Sequence, residues 1–207
     1  MTSISIIGAG NLGAAIAGIA AKAGADVQVL ARDPEKAATV AAPLGAASGR
    51  LGDALTGEIV VLAIPYPAVD DVLRTYSAAL AGRTIVDVTN PVDFDTFDGL
   101  AVPADSSAAR IIQDAVPGAS VVKAFNTNFG ATLATGVAGT LPTTVLVAGD
   151  SAAATQSVVD FVVAGGLRAV DAGSLSRARE LEALGFLQIT LAAAEKTPWT
   201  GGFALIG

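Results

Sequence analysis

The stretch Ser3-Ile4-Ser5-Ile6-Ile7-Gly8-Ala9-Gly10-Asn11-Leu12-Gly13 decides the fold. Its first five residues are a short, largely β-branched run, the mark of a buried strand. The next six match G-x-G-x-x-G. From Asn11 to Ala23 the chain is rich in Ala, Leu and Ile, with Gly24 as a stop, which predicts a helix. In a strand–turn–helix setting each glycine has a task. Gly8 permits a tight turn, Gly10 lets backbone approach a pyrophosphate, and Gly13 lets the helix lie close to the strand. The helix start offers free N–H groups and the positive end of its dipole to phosphate. The stretch therefore predicts a dinucleotide site at Gly8, Ala9, Gly10, Asn11, Leu12 and Gly13. The competing reading is a Gly-rich turn in an Ala-rich protein.

The next strand, Val27 to Leu30, ends in Ala31-Arg32. An NAD site usually places an acid at this tip to bind the ribose 2′-OH. Ala31 leaves room there, and Arg32 can pair with a 2′-phosphate. Lys36, in the first turn of the following helix, adds a second cation. Asp33 before Pro34 fits an N-cap better than a ribose ligand. The pattern predicts NADP rather than NAD.

Further along, strands and helices alternate. Ile59 to Ile64 reads as a strand, Ala68 to Ala81 as a helix closed by Gly82, and Thr84 to Val88 as a strand. A loop over 92–105, a helix over Ser106 to Val116 and a strand over Ser120 to Phe125 follow. Thr144 to Ala148, a helix over 151–163, a strand over 167–171 and a long helix from about 175 to 194 complete the chain. Such alternation implies right-handed βαβ units: an α/β, Rossmann-type, doubly wound and mainly parallel sheet. The expected organisation is one domain over 1–207, with an NADP-binding core over 1–125. A small α/β extension over 126–207, ending in the long helix, completes a cleft. Ligands of open α/β sheets sit beyond the carboxyl ends of the strands. Ala63, Ile64, Pro65 and Tyr66, and then Asn90 and Pro91, are therefore expected at the cofactor.

Composition narrows the chemistry. The 207 residues include no Cys and no His. Disulfides, thiolate metal sites, thiol nucleophiles and His-based proton shuttles are excluded. The net charge of −7 argues against a nucleic-acid backbone as partner. Residues 1–21 are uncharged but broken by Gly8, Gly10, Asn11 and Gly13, and lack a basic start. They read as strand and helix rather than a signal or membrane span, and the protein is expected to be cytoplasmic. Asp93, Asp95 and Asp98 share a loop without the Gly and Glu of a calcium site, so no metal is expected.

The ordered set Gly8–Gly13, Ala31-Arg32 to Lys36, Ala63-Ile64-Pro65-Tyr66, Thr89-Asn90-Pro91, Lys123-Ala124-Phe125-Asn126-Thr127 and Asp171-Ala172-Gly173-Ser174-Leu175 resembles the F420-dependent NADP reductases. It is also similar to the oxidoreductase domain of six-transmembrane ferric reductases. The resemblance spans nearly the whole chain. It implies that Gly10 to Leu12 contact pyrophosphate and that Arg32 and Lys36 take the 2′-phosphate. It also implies that Ile64 and Pro65 flank the cofactor, and that Asn126 and Thr127 meet the nicotinamide. A second redox cofactor, F420 or a flavin (FMN or FAD), would then lie over the nicotinamide as co-substrate, and the resemblance together with the apolar final helix implies a homodimer. At Asn126 the pattern departs from the F420 reductases, which carry His. Hydride exchange between two rings needs positioning more than acid–base groups, which suits a chain without His. The alternatives are an NADP-dependent reductase of a small organic substrate and a non-catalytic NADP(H) sensor.

Other candidates are weaker. Lys123 ends a buried strand and suits a phosphate or a loop acid better than catalysis. Phe94 and Phe97 are expected to pin their loop to the core. Leu181, Leu184, Leu187 and Leu191 form a stripe expected in the core or a dimer interface. Arg177 and Arg179 suit solvated ion pairs or an acidic cofactor tail. Trp199 to Phe203 suit a wall for the second cofactor or a dock for the terminus.

Overall fold

A computed structural model describes residues 2–206. The first strand, β1 (Ser3–Ile7), leads into α1 (Asn11–Lys22), whose buried Gly13, Ile16, Ala17 and Ala20 recur at helical spacing. Then come β2 (Asp26–Ala31), α2 (Pro34–Ala41), β3 (Ala47–Arg50), β4 (Ile59–Leu62) and α3 (Val69–Thr75). β5 (Thr84–Asp87), α4 (Ala108–Ala115), β6 (Ser120–Ala124) and α5 (Gly130–Thr135) follow. A hairpin of β7 (Val137–Ala138) and β8 (Leu141–Pro142) precedes β9 (Thr144–Gly149), α6 (Ala152–Ala164), β10 (Arg168–Gly173) and α7 (Ala178–Ala193).

Eight strands form one sheet in the order β10-β9-β6-β5-β4-β1-β2-β3. Six of them, β3-β2-β1-β4-β5-β6, are parallel neighbours in the Rossmann order. β9 pairs antiparallel with β6, and β10 pairs parallel with β9, so the last strands extend the same sheet in the opposite direction. Two apolar layers hold the helices. Ile4, Ile6, Val29, Val61 and Val122 meet α1, α2, α5 and α6 on one face. Leu30, Val60, Leu62, Ile85 and Val121 meet α3, α4 and the start of α7 on the other. Among the described residues no helix is long and apolar enough to cross a membrane.

Several elements differ from expectation. The helix after Pro67 stops at Thr75 instead of Ala81. Tyr76 leaves helical geometry, its ring is buried, and its hydroxyl accepts the Gly52 N–H at 2.7 Å. The turns that follow drop Leu80 into the core, so tertiary anchoring overrides a helix-competent sequence. β4 ends at Leu62, two residues early, because Pro65 and Pro67 start a 3₁₀ turn. Phe94 and Phe97 pack edge-to-face on each other and are 57% and 42% exposed, so they do not pin their loop to the core. Nor is the leucine stripe of α7 its buried face. Leu187 is 49% exposed, and the buried positions are Ala178, Leu181, Glu182, Gly185, Gln188 and Ala192.

Candidate functional site

The chain leaves β1 toward β2 and β3, then returns to β4 on the other side, so the strand order reverses between β1 and β4. Just beyond their carboxyl ends lies a groove of about 680 Å³. That volume suits a small-molecule or cofactor site. The turn after β1, the tip of β2, the first turn of α2 and the end of β4 line it.

The glycines divide as their spacing predicts. Gly8 adopts φ +122°, and a Cβ there would stand 2.0 Å from the Ala63 carbonyl oxygen. A Cβ at Gly13 would stand 2.1 Å from the Gly8 oxygen, so α1 lies tight on the turn. Gly10 has nothing within 4 Å of such an atom and is exposed to the groove side. Gly10 is also the N-cap of α1, with no side-chain cap and no acid in the first turn. By contrast Asp33, Ser107 and Ser151 cap α2, α4 and α6 through their side chains. The free N–H groups of α1 thus meet an open space, the arrangement that accepts an anion.

At the other end, Ala31, Arg32 and Lys36 line the groove with Leu51. Asp33 accepts the Glu35 N–H and serves as the α2 cap. Gly8, Ala9, Gly10, Ala31, Arg32, Lys36, Ala63, Ile64 and Pro65 therefore meet in one groove. Asn11 and Leu12 lie in the first turn of α1, and Tyr66 packs half-buried against the lower apolar layer. Burial first, then Asp70, Glu182 and Asp87, push the Tyr66 phenol up.

Asn90, Asn126 and Thr127 sit elsewhere, at the ends of β5 and β6. Phe125 takes φ +64° while wholly buried, an uncommon conformation for a bulky residue, and turns the chain out of β6. The side chain of Asn90 donates to the Asn126 carbonyl at 2.8 Å. Asn126 Nδ2 donates to Asn90 Oδ1 at 2.9 Å and to the Leu181 carbonyl at 2.8 Å. Gly185 allows this contact, since a Cβ there would stand 2.3 Å from Asn90 Oδ1. Both amide orientations follow from backbone partners, which leaves Asn126 Oδ1 a buried acceptor with no donor. Thr89 Oγ1 is likewise unpaired. Thr127 borders a small cavity of about 120 Å³ that Phe203 to Leu205 close from above. Trp199 packs on Phe129 at 5.0 Å between ring centroids. Arg177 joins an exposed pair with Glu180.

Beneath the asparagine pair lies a charged cluster. Lys123 is fully buried and donates to Asp87 Oδ2 and Glu182 Oε1, each at 2.8 Å, and to the Thr89 carbonyl at 2.6 Å. Lys123 therefore meets a strand acid and a helix acid, not a phosphate or a loop acid. Glu182 also accepts the N–H groups of Ala108 and Ala109 at the start of α4. Asp87 accepts the Thr89 N–H. The cluster thus ties β5, β6, α4 and α7 to the Thr89-Asn90 turn. Spacing in the sequence gave no sign of it, because its acids lie 36 and 59 residues from Lys123.

Burial pushes the Glu182 carboxyl above 4.5, its ordinary value, the Lys123 ammonium pulls it down, and Asp87 adds to the push. The folded chain then holds this proton more tightly than the unfolded chain. Stability from this group is complete below about pH 4.5 and falls as pH rises through the higher folded value. Glu182→Gln should flatten that slope in denaturant melts taken from pH 5 upward. An unchanged slope would show that Glu182 titrates as it does when unfolded.

A family profile described as "NADP oxidoreductase coenzyme F420-dependent" matches residues 3–91. The F420-dependent NADP reductase of Methanothermobacter marburgensis is 28% identical over 207 aligned positions, covering 89% of each chain. That of Methanocaldococcus jannaschii is 29% identical over 149 residues, 70% of this chain and 66% of that one. A solved structure provisionally described as an F420-dependent NADP-reductase, from Arthrobacter sp. FB24, superposes with a TM-score of 0.86. It shares 28% identity, and the match covers all of both chains.

Proposed function

Since this chain is similar to the coenzyme F420-dependent NADP oxidoreductases, we propose that it exchanges hydride between NADP(H) and coenzyme F420. The observation that carries this reading is the groove at the strand-order reversal, open at Gly10 and cationic at Arg32 and Lys36. Gly10, Asn11 and Leu12 would hold the pyrophosphate at the uncapped start of α1. Arg32 and Lys36 would hold the 2′-phosphate, for which Ala31 leaves room. Bound NADP supplies a nicotinamide that gives or takes hydride. Ile64 and Pro65 would flank that ring, and the Asn90–Asn126 pair would set the far wall. Asn126 Oδ1 is the unpaired acceptor there.

Proton-transfer groups are scarce. The titratable groups that line the groove are Arg32, Asp33 and Lys36, all at its ribose end. Carbonyl reduction needs a positioned acid, whereas ring-to-ring hydride transfer needs two rings held at short distance. This favours F420 as the co-substrate over a small ketone or imine.

The test is to follow reduced-nicotinamide absorbance with purified protein, NADPH and F420, then with FMN or FAD in its place, then with neither. Rapid loss with F420 alone is the expected result. Turnover only with FMN or FAD would move the assignment to flavin. No turnover, with NADPH still bound, would leave a binding protein.

A further inference from the structure

We infer that Arg50 is a third determinant of NADP over NAD, placed by the sheet beside Arg32 and Lys36. This rests on the reading above that the Arg32 end of the groove receives the 2′-phosphate. No sequence motif marks Arg50. It lies 18 residues beyond Arg32, at the end of β3.

The register supplies the link. β3 pairs parallel with β2, and Arg50 stands opposite Ala31 at the carboxyl ends of both strands. The Leu51 N–H extends the ladder to the Ala31 carbonyl at 2.8 Å. Paired residues of neighbouring strands project to the same face of a sheet. Ala31 packs with the layer that includes α2, so Arg50 leaves β3 on the α2 side. Lys36 sits in the first turn of that helix. Ala31 and Leu51, on either side of this position, both line the groove.

Two of the three acids nearby, Asp53 and Asp33, are otherwise engaged. Asp53 Oδ2 accepts the Arg50 N–H at 2.7 Å, and it lies 2.5 Å from where a Gly49 side chain would begin. Successive residues of a strand face opposite sides, so Asp53 sits across the strand from the Arg50 side chain. Asp33 is spent as the α2 cap, and Glu35 is exposed in the first turn of that helix. Arg50 is exposed, and neither it nor Arg32 nor Lys36 forms an ion pair among the described residues. In a chain of net charge −7, two unpaired cations lining one end of the groove, with Arg50 at the adjoining strand tip, fit a phosphate monoester. The guanidinium geometry of Arg50 adds donors that Lys36 lacks.

The test is calorimetric titration of the full chain with NADPH, NADH, 2′,5′-ADP and 5′-AMP, for wild type, Arg50→Gln and Arg32→Ser. Wild type should prefer NADPH and 2′,5′-ADP. Arg50→Gln should weaken both about three- to tenfold, change NADH and 5′-AMP less than twofold, and leave the melting temperature unchanged. Its NADPH affinity should also fall less steeply with salt. Equal weakening of NADPH and NADH, or no weakening, would overturn the role of Arg50 while Arg32→Ser still shows the phosphate site. If wild type binds NADH as well as NADPH, and Arg32→Ser changes neither, the 2′-phosphate reading itself falls and takes this inference with it.

Discussion

Replacing Gly10 by valine should leave the protein folded and reduce NADPH affinity by about a hundredfold or more, while the same change at Gly8 should strongly destabilise the fold. The two positions are two residues apart in one turn, but their surroundings differ. At Gly8 the new Cβ would stand 2.0 Å from the Ala63 carbonyl oxygen, on a backbone with φ +122°. Overpacking and backbone strain each cost about 1–3 kcal/mol, against a total stability of about 5–15 kcal/mol. At Gly10 the backbone has φ −81° and ψ −178°, which any residue adopts, and the added atoms meet no protein neighbour. An exposed substitution of that kind moves stability by about 0.5 kcal/mol or less. What it would fill is the space in front of the free N–H groups of α1. Thermal melts and NADPH titrations of the two variants separate the effects. A Gly10→Val protein that binds NADPH like wild type would remove this turn from the cofactor site.

Lys123→Met should be among the most destabilising single changes. The ammonium is the shared partner of Asp87 and Glu182, and all three side chains are at most 1% exposed. Without it two carboxylates face each other in a medium of low dielectric constant. Breaking a buried ion pair from one side costs about 3–5 kcal/mol. At about 2–4 °C per kcal/mol for a chain of this size, the melting temperature should fall by roughly 6–20 °C. The deficit should shrink as pH is lowered, since protonation of Glu182 relieves the repulsion between the carboxylates. Adding Glu182→Gln should recover part of the loss, because the two side chains act as one unit. A drop below about 1 kcal/mol would show that the cluster holds little together. The Thr89 carbonyl is a third acceptor of Lys123, so the Thr89-Asn90 turn should loosen as well. Protection of the Asn90 side-chain amide from hydrogen exchange would report that directly.

Much of this was legible along the chain. The strand, turn and helix at Ser3–Lys22 carry their own instructions: apolar residues at strand and helix spacing, and glycines where backbone must turn or touch. The tip of β2 was legible for a similar local reason, since Ala31, Arg32 and Lys36 fall within one turn of each other. The end of α3 was not, because a hydrogen bond from Gly52 to the Tyr76 hydroxyl stops it. The exposure of Phe94 and Phe97 was not legible either, because an apolar residue carries no mark of whether a partner surface lies within reach. For α7 the helical period was correct, but the buried stripe proved to be the one bearing Glu182, Gly185 and Gln188. These residues become explicable only once Lys123, Asn90 and Asn126 face them.

The sequence by itself determined the parallel α/β core, the glycine turn after β1 and the cationic tip beyond β2, because each rests on periodicity and on neighbours a few residues apart. Only the tertiary structure decided the direction of β9 and β10, the Asp87–Lys123–Glu182 cluster, the Asn90–Asn126 pair and the place of Arg50 beside Ala31. Those depend on strand order and register, which bring together residues 19 to 59 positions apart, and no local preference of the chain encodes such distances.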